Sequence, residues 1–474
     1  MTQEPRGSNN RRFDLAVVGG GSAGFAAAIK AADQGARVAL IESGTLGGTC
    51  VNVGCIPSKT LIRAAEAQHR RVHHGFSGVS TTDGAPDWLT ILAGKRELVD
   101  RMRKSKYADV LASYDRVALF RRRARLSDAH TIRLDDETSL LAEKIVVATG
   151  SSPWAAPIPG LAEAGYLDSA AAMELEKLPR SLAIIGGSSV GLELAQMFAR
   201  LGVRVTVLEV APTLLPSEHP TIGQALAAYL KSEGLEIRTG IRVSRVQRRD
   251  DFVIESIEAG EKRSLSTEQL LVATGRRPNS RDMGLETAGV NVGTHGEILV
   301  DEHLRTSSKT VYAAGDVTGD PMFVYVAAYA GTLAAENALG GNRRYELAAL
   351  PRVTFTDPAV AAVGRTEEEA RRQGIEPLVT HLALEHVPRA LAARDTRGFI
   401  RLVADSRTRR IIGGQILAAE AGEMITEVSL AIRTGMTIED VGSAFHPYLT
   451  LSEGIKLAAQ SFTKDVAKLS CCAA

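Results

Sequence analysis

The sequence has no cysteine to spare. Four occur in 474 residues: Cys50 and Cys55, five positions apart, and the adjacent Cys471 and Cys472. None is left to cross-link the fold, which suits a reducing compartment, the cytoplasm, and reserves each thiol for chemistry. Excess charge of either sign is missing too. A formal net charge of +1 gives no bulk electrostatic case for nucleic acid or an acidic membrane as partner. The one basic run, R-R-R-A-R at 121–125, reads as a solvated strand face. No apolar run approaches the ~18 residues of a membrane span. The opening M-T-Q-E-P-R-G-S-N-N-R-R has no apolar stretch to serve as a signal peptide core.

What is present is an ordinary globular composition, 45% hydrophobic and 23% charged, with length for about three domains. Two stretches carry the fingerprint of a dinucleotide site. In the first, the strand F-D-L-A-V-V (13–18) leads into Gly19-x-Gly21-x-x-Gly24, with Ser22 and Ala23 inside it. An Ala-rich helix is expected from 25 to about 34, then a strand ending at Glu42, 18 residues after Gly24. The glycines allow close approach of a pyrophosphate, the helix N-terminus stabilises its charge, and the acid can hold ribose hydroxyls. In the second, S-L-A-I-I (181–185) precedes Gly186 and Gly191, a helix is expected over 192–201, and the next strand ends at Glu209, again 18 residues on. Ser188 takes the place of the second strict glycine. This is an internal repeat of a fold. Each copy closes with a similar strand and turn, K-I-V-V-A-T-G to Thr149 and Gly150, and L-L-V-A-T-G to Gly275. The Pro-rich S-S-P-W-A-A-P-I-P-G (151–160) marks a domain boundary. The charged segment 68–125 reads as long helices followed by strands, and its His73 and His74 as solvated surface.

Between the first fingerprint and that segment lies G-G-T-C-V-N-V-G-C-I-P-S-K-T (47–60). Glycines flank the cysteine pair, so the backbone can bend tightly and approach a flat ligand. Pro57 suits the first turn of a helix. Thiols at a helix start feel its positive end, which favours thiolate.

This stretch resembles the redox-active disulfide of the FAD-dependent pyridine nucleotide–disulfide oxidoreductases, the family of glutathione reductase and lipoamide dehydrogenase. The resemblance covers nearly the whole chain. It implies that Cys50 exchanges with substrate, that Cys55 touches the flavin, and that Lys59 lies near flavin N5 with Glu193 as its partner. It implies FAD on Gly19, Gly21, Ser22, Ala23, Gly24, Glu42, Gly48, Thr49, Lys59, Thr149 and Gly150. T-V-Y-A-A-G-D (310–316) resembles the family's second FAD motif, with Asp316 on the ribitol. Gly186, Gly191, Glu209 and Gly275 would serve the nicotinamide nucleotide, NADPH or NADH; the family's metal-reducing members generally take NADPH, but Glu209 tilts the reading towards NADH. The implied fold is α/β, with two Rossmann-like three-layer domains, FAD at 1–155 and 280–345 and NAD(P) at 156–279. An α+β dimerisation domain, 346–474, would follow, with each active site of the homodimer completed by the partner.

The end of the chain points to the substrate. Two thiolates side by side on a tail are soft ligands able to transfer a soft ion. P-Y-L-T with a terminal S-C-C, and V-P-R-A-L-A-A-R-D-T-R-G-F-I (387–400), resemble the Hg(II)-reducing members of the family. There the tail pair, here Cys471 and Cys472, collects Hg(II) and passes it to the partner's buried pair, here Cys50 and Cys55. Tyr448 matches a tyrosine near the metal. Two electrons from the nicotinamide, by way of FAD, then reduce the thiolate-bound ion to Hg(0). Three departures stand out: Ser189 where glutathione reductase has a tyrosine, His446 before Pro447 as in disulfide reductases, and no C-x-x-C metal-binding module at the start. The alternatives are a disulfide reductase of thioredoxin reductase or lipoamide dehydrogenase type and, from another class, a metal-sequestering thiol protein.

Overall fold

The structure, a computed structural model, describes residues 11–82, 84–319 and 321–465. It forms two compact bodies. The first takes the chain through Thr60 with Leu89–Ala156 and Thr274–Glu346; the second takes Leu61–Trp88, Pro157–Ala273 and the chain from Leu347.

The first body is built on a seven-stranded sheet. Strands Val117–Phe120, Val38–Ile41, Arg12–Val18, Ser139–Val147 and Val311–Ala313 run parallel, and Thr131–Leu134 and Ala124–Leu126 extend the edge antiparallel. Its central strand is buried on both faces, as a parallel sheet requires. Leu15 and Val17 meet one apolar cluster, Phe13, Ala16 and Val18 the other. The helices Ser22–Asp33 and Val324–Ala338 pack on the first face through small residues, Ala27, Ala28 and Ala31 against Ala330, Ala334 and Ala335. The approach is backbone-close: a Cβ on Gly331 would lie 2.0 Å from the Ala23 carbonyl oxygen.

The second body holds three sheets. A four-stranded parallel sheet orders Glu236–Thr239, Arg204–Glu209, Ser181–Ile185 and Gln269–Val272, with helix Ser189–Arg200 beside it. An antiparallel ribbon follows, Arg242–Arg248, Phe252–Glu258 and Glu261–Thr267. The five-stranded antiparallel sheet runs Arg352–Thr354, Ala359–Gly364, Ile411–Ala418, Phe399–Asp405, Pro377–Ala383. Helices Ala421–Thr434 and Glu453–Gln460 bury Met424, Ile425, Val428 and Ile455 on it.

Three local expectations change. Both fingerprint helices begin three residues early, at Ser22 and Ser189, because Gly24 and Gly191 lie inside them. The basic run is not a strand face: residues 121–123 connect two strands and only Arg125 sits on one, with Arg122 paired to Asp136. The helix carrying His69 ends at Arg70, so His73 and His74 are not on it; His73 stacks on His69 with centroids 4.2 Å apart.

Candidate active site

The dithiol segment begins with two left-handed glycines, Gly47 at φ 100° and Gly48 at φ 61°. A side chain at Gly48 would place its Cβ 2.6 Å from the Gly21 Cα, and the Gly47 N–H donates to the Gly20 carbonyl at 2.9 Å. The thiol segment therefore lies directly on the phosphate-binding loop, backbone against backbone. A five-residue helix, Gly48–Asn52, carries Cys50; a second helix, Cys55–Arg70, opens on Cys55 with Pro57 in its first turn. Gly54 lets the turn between them close, since a Cβ there would sit 2.9 Å from the Thr49 carbonyl oxygen. The Asn52 side chain pins the turn by donating to the Gly48 and Leu46 carbonyls at 2.9 and 3.1 Å.

Cys50 and Cys55 stand as two half-buried thiols with a hydrogen bond between their side chains. That bond, burial and the charge of Cys55 push the Cys50 thiol up, against a smaller opposing pull from Lys59. The expectation that a helix start favours thiolate is thus corrected for Cys50, which sits inside a helix too short to help. Cys55 occupies the first position of a 16-residue helix, where unpaired N–H groups favour negative charge. The pair is asymmetric in its setting: Cys50 lies within a five-residue helix, and Cys55 opens one of 16 residues.

Tyr107, which the sequence reading passed over, belongs here. It sits in a π-helical turn, Lys104–Ala108, packs on Phe25 with centroids 4.8 Å apart, and shares a side-chain hydrogen bond with Ser22. Burial, with the nearby thiol pair, raises its phenol. A Cβ on Gly47 would touch its ring at 3.4 Å. The only signal in the sequence is a lone aromatic within the charged run R-M-R-K-S-K-Y.

The residues around the first fingerprint fit FAD. Side chains at Gly19 or Gly24 would strike backbone, at 2.2 Å from the Ala148 oxygen and 1.8 Å from the Gly19 oxygen, so the loop is a cradle that only glycine leaves open. Glu42 accepts from the Gly20 N–H at 2.6 Å and the Gly44 N–H at 2.5 Å. Asp316 follows Gly315, whose Cβ would lie 2.9 Å from that of Ala23, and accepts from Ser151 Oγ at 2.6 Å. Ser151 in turn accepts from Arg276 Nε at 2.7 Å. Thr149 and Gly150 are tied to Asn279, the Thr149 hydroxyl donating to its carbonyl at 2.7 Å and the Gly150 carbonyl accepting from its N–H at 2.9 Å. Gly275 adopts φ 131° beside Trp154. Thr49 is exposed on the short helix, and Lys59 lies one turn beyond Cys55.

The second body carries the other expected residues. Gly186, at φ 119°, and Gly191 repeat the cradle, a Gly191 Cβ meeting the Gly186 oxygen at 2.0 Å. Ser188 has the same extended backbone as Gly21, ψ −177° against −171°, which any residue adopts. Glu193 is buried and accepts from the Phe355 N–H at 2.9 Å; Ser189 Oγ lies 2.6 Å from Thr354 Oγ1. His446 is held by Glu427 and the Ala444 carbonyl, while Tyr448 is exposed. Cys471 and Cys472 lie outside the described residues.

Known proteins bear on this geometry. Residues 13–331 match the family described as pyridine nucleotide-disulphide oxidoreductase, and residues 350–459 match its dimerisation domain. The mercuric reductase of Shigella flexneri is 46% identical over 97% of this chain and 82% of its own. That of Streptomyces lividans is 44% identical over 97% and 98%. Among solved structures, the HOCl-induced flavoprotein disulfide reductase RclA from Escherichia coli is 31% identical, with a TM-score of 0.85 over 94% of this chain and 99% of its own. With a flavin cradle, a dithiol laid on it, a second fingerprint and a matching dimerisation domain, this chain belongs to the pyridine nucleotide-disulphide oxidoreductase family.

Proposed function

We propose that the chain reduces Hg(II) to Hg(0) with two electrons from a reduced nicotinamide nucleotide. The observation that carries this is the thiol pair itself. Two hydrogen-bonded thiols stand on the cofactor cradle, and no cluster of three or more His, Cys, Asp or Glu among the described residues is arranged to hold a metal. A two-sulfur set suits a soft ion of low coordination number. The names of the relatives, mercuric reductases at 41–46% identity, support the same substrate.

FAD, when bound, supplies the relay of electron pairs from the nicotinamide to the pair. The remaining steps belong to the chain. Cys50, the exchange cysteine, meets the incoming ion; Cys55 completes a bis-thiolate, and the pair releases its protons, as metal binding to a thiol requires. Lys59 balances the negative charge. The reduced metal has little affinity for sulfur and leaves. In the homodimer, Cys471 and Cys472 of one subunit deliver Hg(II) to the Cys50–Cys55 pair of the other, with Tyr448 near the site of transfer. No helix among the described residues is long and apolar enough to cross a membrane; we place the enzyme in the cytoplasm, where thiols stay reduced and nicotinamide nucleotides are found.

A disulfide reductase would use His446 as its acid, but both ring nitrogens already have partners in their own chain. The test is an anaerobic assay of nicotinamide oxidation with Hg(II)–thiol complexes against oxidised glutathione and lipoamide. Hg(II)-dependent turnover with release of volatile mercury is expected. Turnover with a disulfide alone would reject the proposal.

A further inference from the structure

The two fingerprints share more than glycine spacing. In the first, the Gly20 N–H donates to Glu42 Oε2 at 2.6 Å and the Gly44 N–H to Oε1 at 2.5 Å. In the second, the Gly187 N–H donates to Glu209 Oε2 at 2.5 Å and the Ala211 N–H to Oε1 at 2.7 Å. The same two carboxylate oxygens meet the same two backbone positions, 22 residues back and two residues on. The supporting bonds repeat as well: Gly19 N–H to the Ile41 carbonyl at 2.8 Å, Gly186 N–H to the Leu208 carbonyl at 2.9 Å.

We infer that the second site is built, like the first, for an adenosine whose ribose 2′-hydroxyl is bare, so that the electron donor is NADH rather than NADPH. FAD carries such a ribose. Each carboxylate oxygen has one lone-pair direction taken by an N–H and one left over. The two left over are enough for the 2′- and 3′-hydroxyls. A 2′-phosphate would bring up to two negative charges against a carboxylate that cannot swing away, because both oxygens are fastened and Glu209 is 6% exposed. The segment after Glu209, V-A-P-T-L-L-P-S-E, contains no lysine or arginine. Val210, the position next to the acid, is 71% exposed and apolar. On the neighbouring strand the Arg238 guanidinium is spent on Glu236. Arg242 lies beyond Ile241, whose N–H donates to the Glu209 carbonyl.

This inference rests on the family's use of a nicotinamide nucleotide and not on the metal substrate, so its failure and that of Hg(II) reduction are separate. The test is binding rather than turnover. Oxidised, FAD-loaded, full-length enzyme is titrated calorimetrically with ADP-ribose and with 2′-phospho-ADP-ribose. ADP-ribose is expected to bind at least about tenfold tighter, a difference of ~1.4 kcal/mol. Equal binding, or tighter binding of the phosphorylated ligand, overturns the inference and points to Arg242. A second arm uses Val210→Arg, at an exposed position where folding is not at stake. It should tighten 2′-phospho-ADP-ribose several-fold and leave ADP-ribose unchanged. No gain for the phosphorylated ligand would mean that this edge does not face the ribose, and the inference falls.

Discussion

His446 is doubly fastened to its own chain: Nε2 lies 2.6 Å from Glu427 Oε1, and Nδ1 lies 3.1 Å from the Ala444 carbonyl oxygen. A carbonyl and a carboxylate oxygen are acceptors, so the protonated imidazole, with a donor on each nitrogen, is the form that satisfies both. Hydrogen bonding to Glu427 accordingly raises its pKa, against burial. A raised base stabilises the fold below its unfolded pKa, near 6.5, and that contribution is lost as pH rises through the folded value. Replacing His446 by Gln should therefore destabilise the protein at pH 6, by about 1 kcal/mol given a partly exposed partner. The difference should fade towards pH 9. Denaturant melts of both proteins across that range check the sign. Turnover of Hg(II) should fall less than about threefold, as a structural residue implies; a hundredfold loss would make His446 the general acid instead.

The asymmetry of the thiol pair gives a second expectation. Cys55→Ala should retain FAD, because the cradle is backbone, and should lose the long-wavelength absorbance that a thiolate beside the flavin produces on two-electron reduction. Cys50→Ala should keep that absorbance. A band that survives in the Cys55 variant would reverse the assignment of the two cysteines.

Gly48 is the most restrictive position in the segment. An alanine there would need a left-handed backbone, at ~1–2 kcal/mol, and its Cβ would lie 2.6 Å from the Gly21 Cα. Neither backbone can yield without moving the phosphate-binding loop. Gly48→Ala is expected to lower flavin content on purification by more than half, read from the ratio of flavin to protein absorbance. Full flavin content would show that the contact relaxes freely.

The tail tests delivery. A Cys471→Ala, Cys472→Ala double variant should still be reduced by the nicotinamide but lose most turnover of Hg(II) presented as a bulky dithiolate. A small labile ligand such as bromide should restore part of it, by direct access to Cys50 and Cys55. Tethered thiols displace bulky ligands one at a time at high effective concentration. Wild-type rates with the dithiolate complex would exclude a relay.

The parts legible in the sequence were those set by the backbone and short range. Fingerprint glycines, strand runs and the acid 18 residues on are local rules, and the Glu42 and Glu209 clamps follow them. Ser188 departed from the motif without consequence because its backbone needs no glycine. Long-range partners were not legible. Nothing in the pattern ties His446 to Glu427, 19 residues earlier. Nor does it bring Tyr107 to Ser22, since a π-turn shifts which face a residue presents. The three arginines at 121–123 misled for the opposite reason: charge was read as a strand face when it marks the connection between two strands.

Where Gly47 and Gly48 lie on Gly20 and Gly21, no side chain intervenes. The separation between thiol segment and cofactor loop is thus a peptide's thickness, a spacer of fixed gauge that substitution can break but not adjust. Tuning of the redox pair must come from its flanks, through the charge of Lys59, the hydroxyl of Tyr107 or the start of the helix under Cys55. Engineers seeking a different potential should vary those three and leave the glycines alone.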